Sequence, residues 1–372
     1  MKTDDYNFLL LSTSLLVDRI YLYTDLVNKL SEKGDVNIWA SSYENTDSEL
    51  SWQEVKATIE SFPEIKPFKE IPYNYLRRLN EFVWDYRYLL PSRMSMMNHV
   101  RNKTATLPIR ALKPPASVLS FFKMERVLEN NLEKLMLSYP RSEEAEKRLK
   151  QNKPDVILST GPFQFEQPGI FPIAKRLKIP TIAYIPSWDN VTTKNRMVYK
   201  YDAYIVWNDK TKEELNEFYP YTKDYPIYTV GAPQFDIFRQ ERFYQSKADF
   251  CHQQNLNPEL PIIVYAIGSP NFLKEHHGAV ELAKRVSQGK LGEVQLLVRP
   301  HPIHDNAEMS DLFDSYKPEV QLQKTPNAGK SLTLRTQDEM QIIEWVNTFR
   351  HADVVINLSS TVTVDAAILI NR

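Results

Sequence analysis

The chain has 372 residues, 42% of them apolar and 25% charged, with a formal net charge of −1. That length exceeds one typical domain and the apolar fraction supports two cores, while the near-zero charge excludes the basic footprint of a nucleic-acid-binding protein. A single cysteine, Cys251, excludes an internal disulfide framework and fits a reducing compartment, where it reads as an ordinary thiol.

The first seven residues lack a signal-peptide charge pattern, and the apolar run from Phe8 to Leu16 is too short to span a bilayer. The chain therefore reads as cytoplasmic, soluble or peripherally attached. Tyr6 to Ser12 predicts a strand, Asp18 to Lys33 a helix that Gly34 ends, and Val36 to Ala40 a second strand. Residues from about 47 to 150 are rich in aromatics and leucine, with helical spacing over Tyr75–Leu90 and Ser117–Leu137, and read as a helical insertion. Alternation then resumes, with strands at Asp155–Ser159, Thr181–Ile185, Ala203–Val206 and Ile227–Val230. Helices at Gly169–Leu177 and Thr211–Phe218 separate them, the second opened by a capping box from Thr211 to Glu214.

Residues 236–258 are polar without a clear period and read as a linker. The pattern repeats from a strand at Pro261–Ile267: helix Ala279–Ser287, strand Val294–Val298, helix Gln337–Phe349, strand Val354–Leu358 and a helix from Val362, with 304–335 as a loop holding short elements. Strands separated by helices imply parallel sheets. The expected fold is α/β, with two Rossmann-like doubly wound domains of the GT-B kind facing across a cleft. The first spans 1–235 and the second 259–372, the latter expected to be incomplete because the sequence stops in or just after a helix.

Nine glycines fall well below the roughly 7% average. Neither GxGxxG nor GxxxxGK[ST] is present, so dinucleotide and P-loop readings lose their support. Three glycines, Gly161, Gly231 and Gly268, nevertheless follow apolar strands, where glycine permits a sharp turn or close approach to a ligand. His276 and His277 are adjacent rather than i,i+4, and no DxD-like pair appears, so no metal or other cofactor is expected.

Two strand ends carry anion-binding residue types. Val294–Val298 runs into Arg299, Pro300, His301 and Pro302, and the two prolines stiffen the backbone around the imidazole. Val354–Leu358 runs into Ser359, Ser360 and Thr361, with Asp365 one turn into the following helix. One of these hydroxyls serves as an N-cap. Two more exceed what a cap needs, and a helix start suits phosphate. Arg299, His301, Ser359, Ser360, Thr361, Asp365 and Gly268 are thus the candidate contacts to a nucleotide-activated donor.

On the other half, Ser187, Trp188, Asp189 and Asn190 follow a strand and are expected to line the cleft together with Gly161. Asp189 is the first candidate for a general base acting on an acceptor hydroxyl, and an Asx-turn is its structural alternative. Glu166 and Asp18 are rival bases at neighbouring strand ends. Between Tyr86 and Met124 seven Lys/Arg occur with no acid, interleaved with Met, Leu, Phe and Tyr. Such a stretch (86–124) suits an anionic membrane surface, or a solvated helical insertion.

The order Ser187-Trp188-Asp189-Asn190, then Val230 to Asp236, then His301-Pro302, then Ser359-Ser360-Thr361 resembles GT-B transferases of bacterial surface-polysaccharide synthesis, especially CDP-glycerol glycerophosphotransferase-like proteins. The His-Pro and Ser-Ser-Thr pair also resembles that of bacterial sialyltransferases. The resemblance spans about 155–372. It implies transfer of a sugar or polyol phosphate from a CMP-, CDP- or UDP-linked donor to a glycan or lipid-linked acceptor, with His301 and the hydroxyls on the donor phosphate. Two alternatives share the architecture: a UDP-N-acetylglucosamine 2-epimerase-like isomerase, and a non-catalytic protein of polysaccharide export.

Overall fold

The computed structural model describes every residue except 1–5, 44–51, 97–105, 140, 165, 270–273, 302–303, 327–336, 359 and 370–372. Pro302 and Ser359 of the expected donor site, and Arg101 and Lys103 of the basic stretch, therefore lie outside the described residues. The chain divides into two compact α/β units between Pro233 and Gln234.

Unit 1 is built on a seven-stranded sheet of β1 (Tyr6–Ser12), β2 (Gly34–Ala40), β3 (Thr58–Ser61), β4 (Val156–Ser159), β5 (Thr181–Tyr184), β6 (Ala203–Val206) and β7 (Ile227–Thr229). The order is β3-β2-β1-β4-β5-β6-β7, with every pairing parallel. The unbroken run Leu9-Leu10-Leu11 in β1 is buried, as a central strand covered on both faces requires. The chain winds outward from β1 to β3, then returns to β4 on the other side of β1, so the switch point lies between β1 and β4.

Local chemistry moves several boundaries. The single helix expected over Asp18–Lys33 is two, α1 (Leu15–Tyr23) and α2 (Leu26–Ser31). Thr24 divides them: its hydroxyl donates to the Ile20 carbonyl at 2.6 Å and accepts from the Leu26 amide at 3.3 Å, a side-chain competition with the helix ladder. Gly34 opens β2 rather than capping a helix, with its φ at +155°. An added Cβ there would lie 1.9 Å from the Tyr6 carbonyl oxygen, so only glycine lets the two strands pair.

The 47–150 insertion is not wholly helical, because β3 extends the sheet at its edge. Four half-exposed residues are too few to show an alternation. Helices α3 (Ile71–Tyr88), α4 (Pro91–Met96), α5 (Leu107–Arg110), α6 (Lys113–Phe121), α7 (Glu125–Leu137) and α8 (Glu143–Asn152) follow. The helix expected over Ser117–Leu137 is broken at Lys123, whose φ is +55°. Buried Trp84 of α3 donates from its indole to the Phe218 carbonyl at 2.9 Å. The guanidinium groups of Arg93 and Arg196 lie 4.9 and 5.0 Å from its ring centre. The insertion is thereby part of the unit 1 core.

The remaining unit 1 helices are α9 (Phe171–Arg176), α10 (Asn190–Thr193) and α11 (Asp209–Phe218). Asn208 caps α11 by accepting from the Thr211 amide at 2.8 Å. Thr211 therefore sits inside the first turn instead of at the expected cap.

Unit 2 opens with α12 (Lys247–Gln254) inside the stretch expected as a linker. Phe250 and Cys251 are its two buried residues, too few to print a helical period, and burial pushes the Cys251 thiol up. A four-stranded parallel sheet follows, of β8 (Ile262–Ala266), β9 (Gln295–Arg299), β10 (Val320–Leu322) and β11 (Val354–Ile356) in the order β10-β9-β8-β11. Its helices are α13 (His276–Ser287), α14 (Asn306–Phe313), α15 (Glu339–Arg350) and α16 (Val362–Leu369). The switch point of this sheet lies between β8 and β11. Both units are Rossmann-like, the domain plan of the GT-B fold.

Candidate functional site

Parallel strands share one carboxyl edge, and open α/β sheets bind ligands there, at the switch point. In unit 1 that place is a closed polar network. Gln167, in a short 3₁₀ turn and fully buried, accepts through Oε1 from the Thr160 amide at 3.0 Å, the Gly161 amide at 2.9 Å and the Ser159 hydroxyl at 3.0 Å. Its Nε2 donates to the Thr13 hydroxyl at 2.7 Å and the Thr160 hydroxyl at 3.2 Å. The Thr160 hydroxyl donates to the Leu11 carbonyl at 2.6 Å, and Thr13 donates to Gln164. A Cβ on Gly161 would lie 2.2 Å from Gln164 Oε1, so this glycine serves close packing of the network.

Asp18 stands behind the network in the first turn of α1, only 2% exposed. It accepts from the Ser12 hydroxyl. Burial raises its pKa to about 6, with the Ser12 and Ser42 hydroxyls pulling the other way. Its charge in turn pushes the buried Tyr21 phenol further up, after burial itself. A desolvated carboxyl held by hydroxyls at a strand end is the kind of perturbed group that functional sites collect.

Asp189 lies two strands along the same edge, after β5 and at the start of α10. Ser187 donates to its Oδ1 at 2.6 Å, Asn190 to Oδ1 at 3.2 Å and the Thr193 hydroxyl to Oδ2 at 3.1 Å. All three donors are side chains, so this is not the backbone Asx-turn of the structural alternative, but the bonds fix the half-buried carboxylate in place, with Trp188 exposed beside it. The loop is also anchored from the insertion: Ser92 donates to the Thr192 carbonyl at 3.2 Å, and Arg93 donates to the Lys194 carbonyl. Glu166 is exposed and lines a pocket of about 320 Å³ with Lys66, Phe68, Tyr73 and Arg77.

Unit 2 solves its switch point with a charge. Glu275, buried and just ahead of α13, accepts from the Gly268 amide at 2.7 Å and the Leu358 amide at 2.9 Å, tying the ends of β8 and β11 together. The expected donor contact at Gly268 is thus already engaged through its amide, and His304 lies 3.2 Å from its carbonyl. Ser360 fulfils the cap reading: its hydroxyl accepts from the Val362 amide at 3.3 Å. Asn357 steadies the turn by accepting from the Ser360 amide at 3.2 Å and the Thr363 hydroxyl at 3.1 Å. Thr361 is exposed at the start of α16.

Arg299 donates to Gln323 at 2.5 Å and lies 5.8 Å from the Phe349 ring centre, so it turns into the sheet edge. Burial lowers its pKa, opposed by the carboxylates of Glu344 and Asp365. His301 is half-buried, and its carbonyl accepts from the His304 amide at 2.9 Å.

Gln167 and Glu275 escaped the sequence reading. Each is one polar residue whose partners lie far along the chain, at Thr13 and Leu358. Only the strand-end position of Gly161 and Gly268, the glycines they pack against, hinted at either.

Among the described residues no group of three His, Cys, Asp or Glu is placed to hold a metal ion, and no helix is long and apolar enough to cross a membrane. No protein-family model matches the chain, and no curated protein matches it in sequence. Solved structures do resemble it. UDP-N-acetylglucosamine 2-epimerase from Rickettsia bellii aligns with a TM-score of 0.53 at 12% identity, over 98% of this chain and 77% of that one. MnaA of S. aureus in complex with UDP aligns with a TM-score of 0.54 at 11% identity, over the same shares. At such identities the likeness shows the fold, two Rossmann-like units.

Proposed function

We propose that this chain is an enzyme of nucleotide-activated sugars or polyol phosphates that transfers the activated group to a hydroxyl acceptor. The observation that carries the reading is the edge of the unit 2 sheet. There a helix opened by Ser360 and Thr361 follows β11, and the Arg299-Pro300-His301 end of β9 lies at the same carboxyl edge, with β8 between the two strands. A hydroxyl at a helix start, with the positive end of the helix dipole behind it, attracts phosphate. The Asp365 charge, which would repel phosphate, is offset by Arg299.

In this scheme Thr361 and His301 hold the donor's phosphates at the start of α16. The acceptor oxygen attacks the activated carbon or phosphorus, its proton passes to Asp189, and the bond to the leaving nucleotide breaks. The negative charge gathering on that nucleotide is what the unit 2 donors stabilise. Asp18, too buried to touch a substrate, acts as a positioning residue by holding Ser12 at the end of β1.

A second reading is an isomerase of UDP-N-acetylglucosamine, favoured by the names of the fold neighbours. One experiment separates the two. The chain is incubated in deuterated water with CMP-, CDP-, UDP- and GDP-linked donors, with and without glycan or glycolipid acceptors. Nucleotide release that requires an acceptor supports transfer. Deuterium entering carbon 2 of the UDP-linked sugar without acceptor establishes the isomerase instead, and no turnover of any donor overturns both.

A further inference from the structure

Among the described residues, nothing covers an apolar surface on the insertion of unit 1. Leu107 on α5 is 80% exposed, and on α6 and the turn after it Val118 is 56%, Phe121 80% and Phe122 66% exposed. The opposite face of α6 is spent: Ala116 and Ser120 are buried and Leu112 and Leu119 pack against Phe82 and Val83 of α3. What remains outward are Pro114, Val118 and Phe121, spaced i, i+4 and i+7 along one stripe, with the Phe121 and Phe122 rings edge to face at 5.3 Å. Large apolar side chains exposed together mark an interaction surface, since scattered single ones would need no explanation.

The charge around the stripe selects the partner. Arg110, Lys123 and Arg126 are exposed beside it, and no acid occurs between Tyr86 and Met124. The next acid, Glu125, is drawn to Arg87 at 3.6 Å. A second copy docking by two-fold symmetry would set these cations against themselves. An anionic surface accepts them, and aromatic side chains flanked by cations suit the boundary between headgroups and acyl chains. We infer that Leu107, Val118, Phe121 and Phe122, with Arg110, Lys123 and Arg126, seat unit 1 on an anionic phospholipid bilayer. The inference does not depend on the reaction proposed above.

The test is co-sedimentation of the full chain with vesicles of phosphatidylcholine alone and of phosphatidylcholine with about a third phosphatidylglycerol. Bound protein should rise at least about tenfold with the anionic lipid and fall at about 1 M salt, where screening acts within about 3 Å. Phe121→Ser with Phe122→Ser should abolish binding while leaving the thermal melt unchanged, because both rings are exposed. Phe122→Trp supplies an independent readout, a blue shift of emission on adding anionic vesicles. Equal sedimentation of the double variant and the parent would overturn the proposal, as would indifference to lipid charge. Self-association without lipid that the double variant loses would assign the stripe to a second copy instead.

Discussion

The two sheets finish their switch points with the same kinds of part set in opposite electrostatic states. In unit 1 a neutral amide, Gln167, gathers the strand ends, and the acid in the following helix, Asp18, is buried among hydroxyls. In unit 2 a carboxylate, Glu275, gathers the strand ends, and the acid in the first turn of α16, Asp365, lies in the field of Arg299. An amide can both accept and donate, so Gln167 knits hydroxyls from β1 and β4 into one network. A carboxylate only accepts, and Glu275 uses its two oxygens to bridge two amides. Unit 1 is thus left with a fully buried acid among hydroxyls, whereas the α16 acid of unit 2 is only half-buried and has a cation in its field. Such a conflict is retained where function needs it, which singles out Asp18.

The sharpest way to break the comparison is to remove the amide. Gln167→Leu would orphan the Thr160 and Gly161 amides and leave the Ser159 hydroxyl with only the Tyr201 hydroxyl, 3.3 Å away. At about 1–3 kcal/mol for each buried polar group left unpaired, stability to urea should fall by on the order of 3–5 kcal/mol. A loss below about 1 kcal/mol would mean that the network does not hold the switch point together.

Asp18→Asn should act with the opposite sign. A carboxyl whose pKa rises from 3.8 to about 6 on folding binds its proton more tightly in the folded state. Stability is therefore greatest below pH 4 as far as this group is concerned, and is lost as pH climbs from about 4 to 6. At roughly 1.4 kcal/mol per unit, the cost at pH 7 is of order 3 kcal/mol. The Asn variant should melt higher than the parent at pH 7 and lose this slope between pH 4 and 6. Equal pH dependence of the two melts would show that Asp18 is not the strained group.

The bridge in unit 2 should respond more mildly. Glu275→Gln keeps one acceptor and presents an amine to the other backbone amide, a loss of about 1–3 kcal/mol. If it cost as much as Gln167→Leu, the two switch points would be equivalent and the contrast between them lost. The smallest effect belongs to Ser360→Ala. Loss of its cap should cost about 1 kcal/mol, with nucleotide affinity unchanged because Thr361 and His301 remain. A drop in affinity would restore Ser360 as a phosphate contact.

Most of the α/β alternation was legible where strands are compact apolar runs and helices long enough to show a period, but α14 and β10 lie within 304–335, read as a loop holding short elements. β3 was not legible, since Thr58–Ser61 is a short, half-exposed edge strand. Nor was α12, whose two buried positions, Phe250 and Cys251, leave no stripe. The strand-end motifs lie at the carboxyl edges of both sheets. They did not tell which groups were already spent internally: the Gly268 amide on Glu275, the Ser360 hydroxyl on its helix and the Asp189 carboxylate on three local donors. Those commitments are mostly local, but a polar residue near a strand end is equally suited to a ligand or to its own backbone, and the longer contacts, such as Gln167 to Thr13, 154 residues apart, leave no local trace.

The central claim is that unit 2 grips the phosphates of a nucleotide-activated donor. Titration calorimetry of the full chain with CMP, CDP, UDP and GDP, repeated with His301→Ala, addresses it directly. The account predicts that at least one of these nucleotides binds and that the variant, folded by circular dichroism, binds it at least about tenfold more weakly, the loss of a charge-assisted contact. Binding of none of them, or equal affinity in parent and variant, would contradict it.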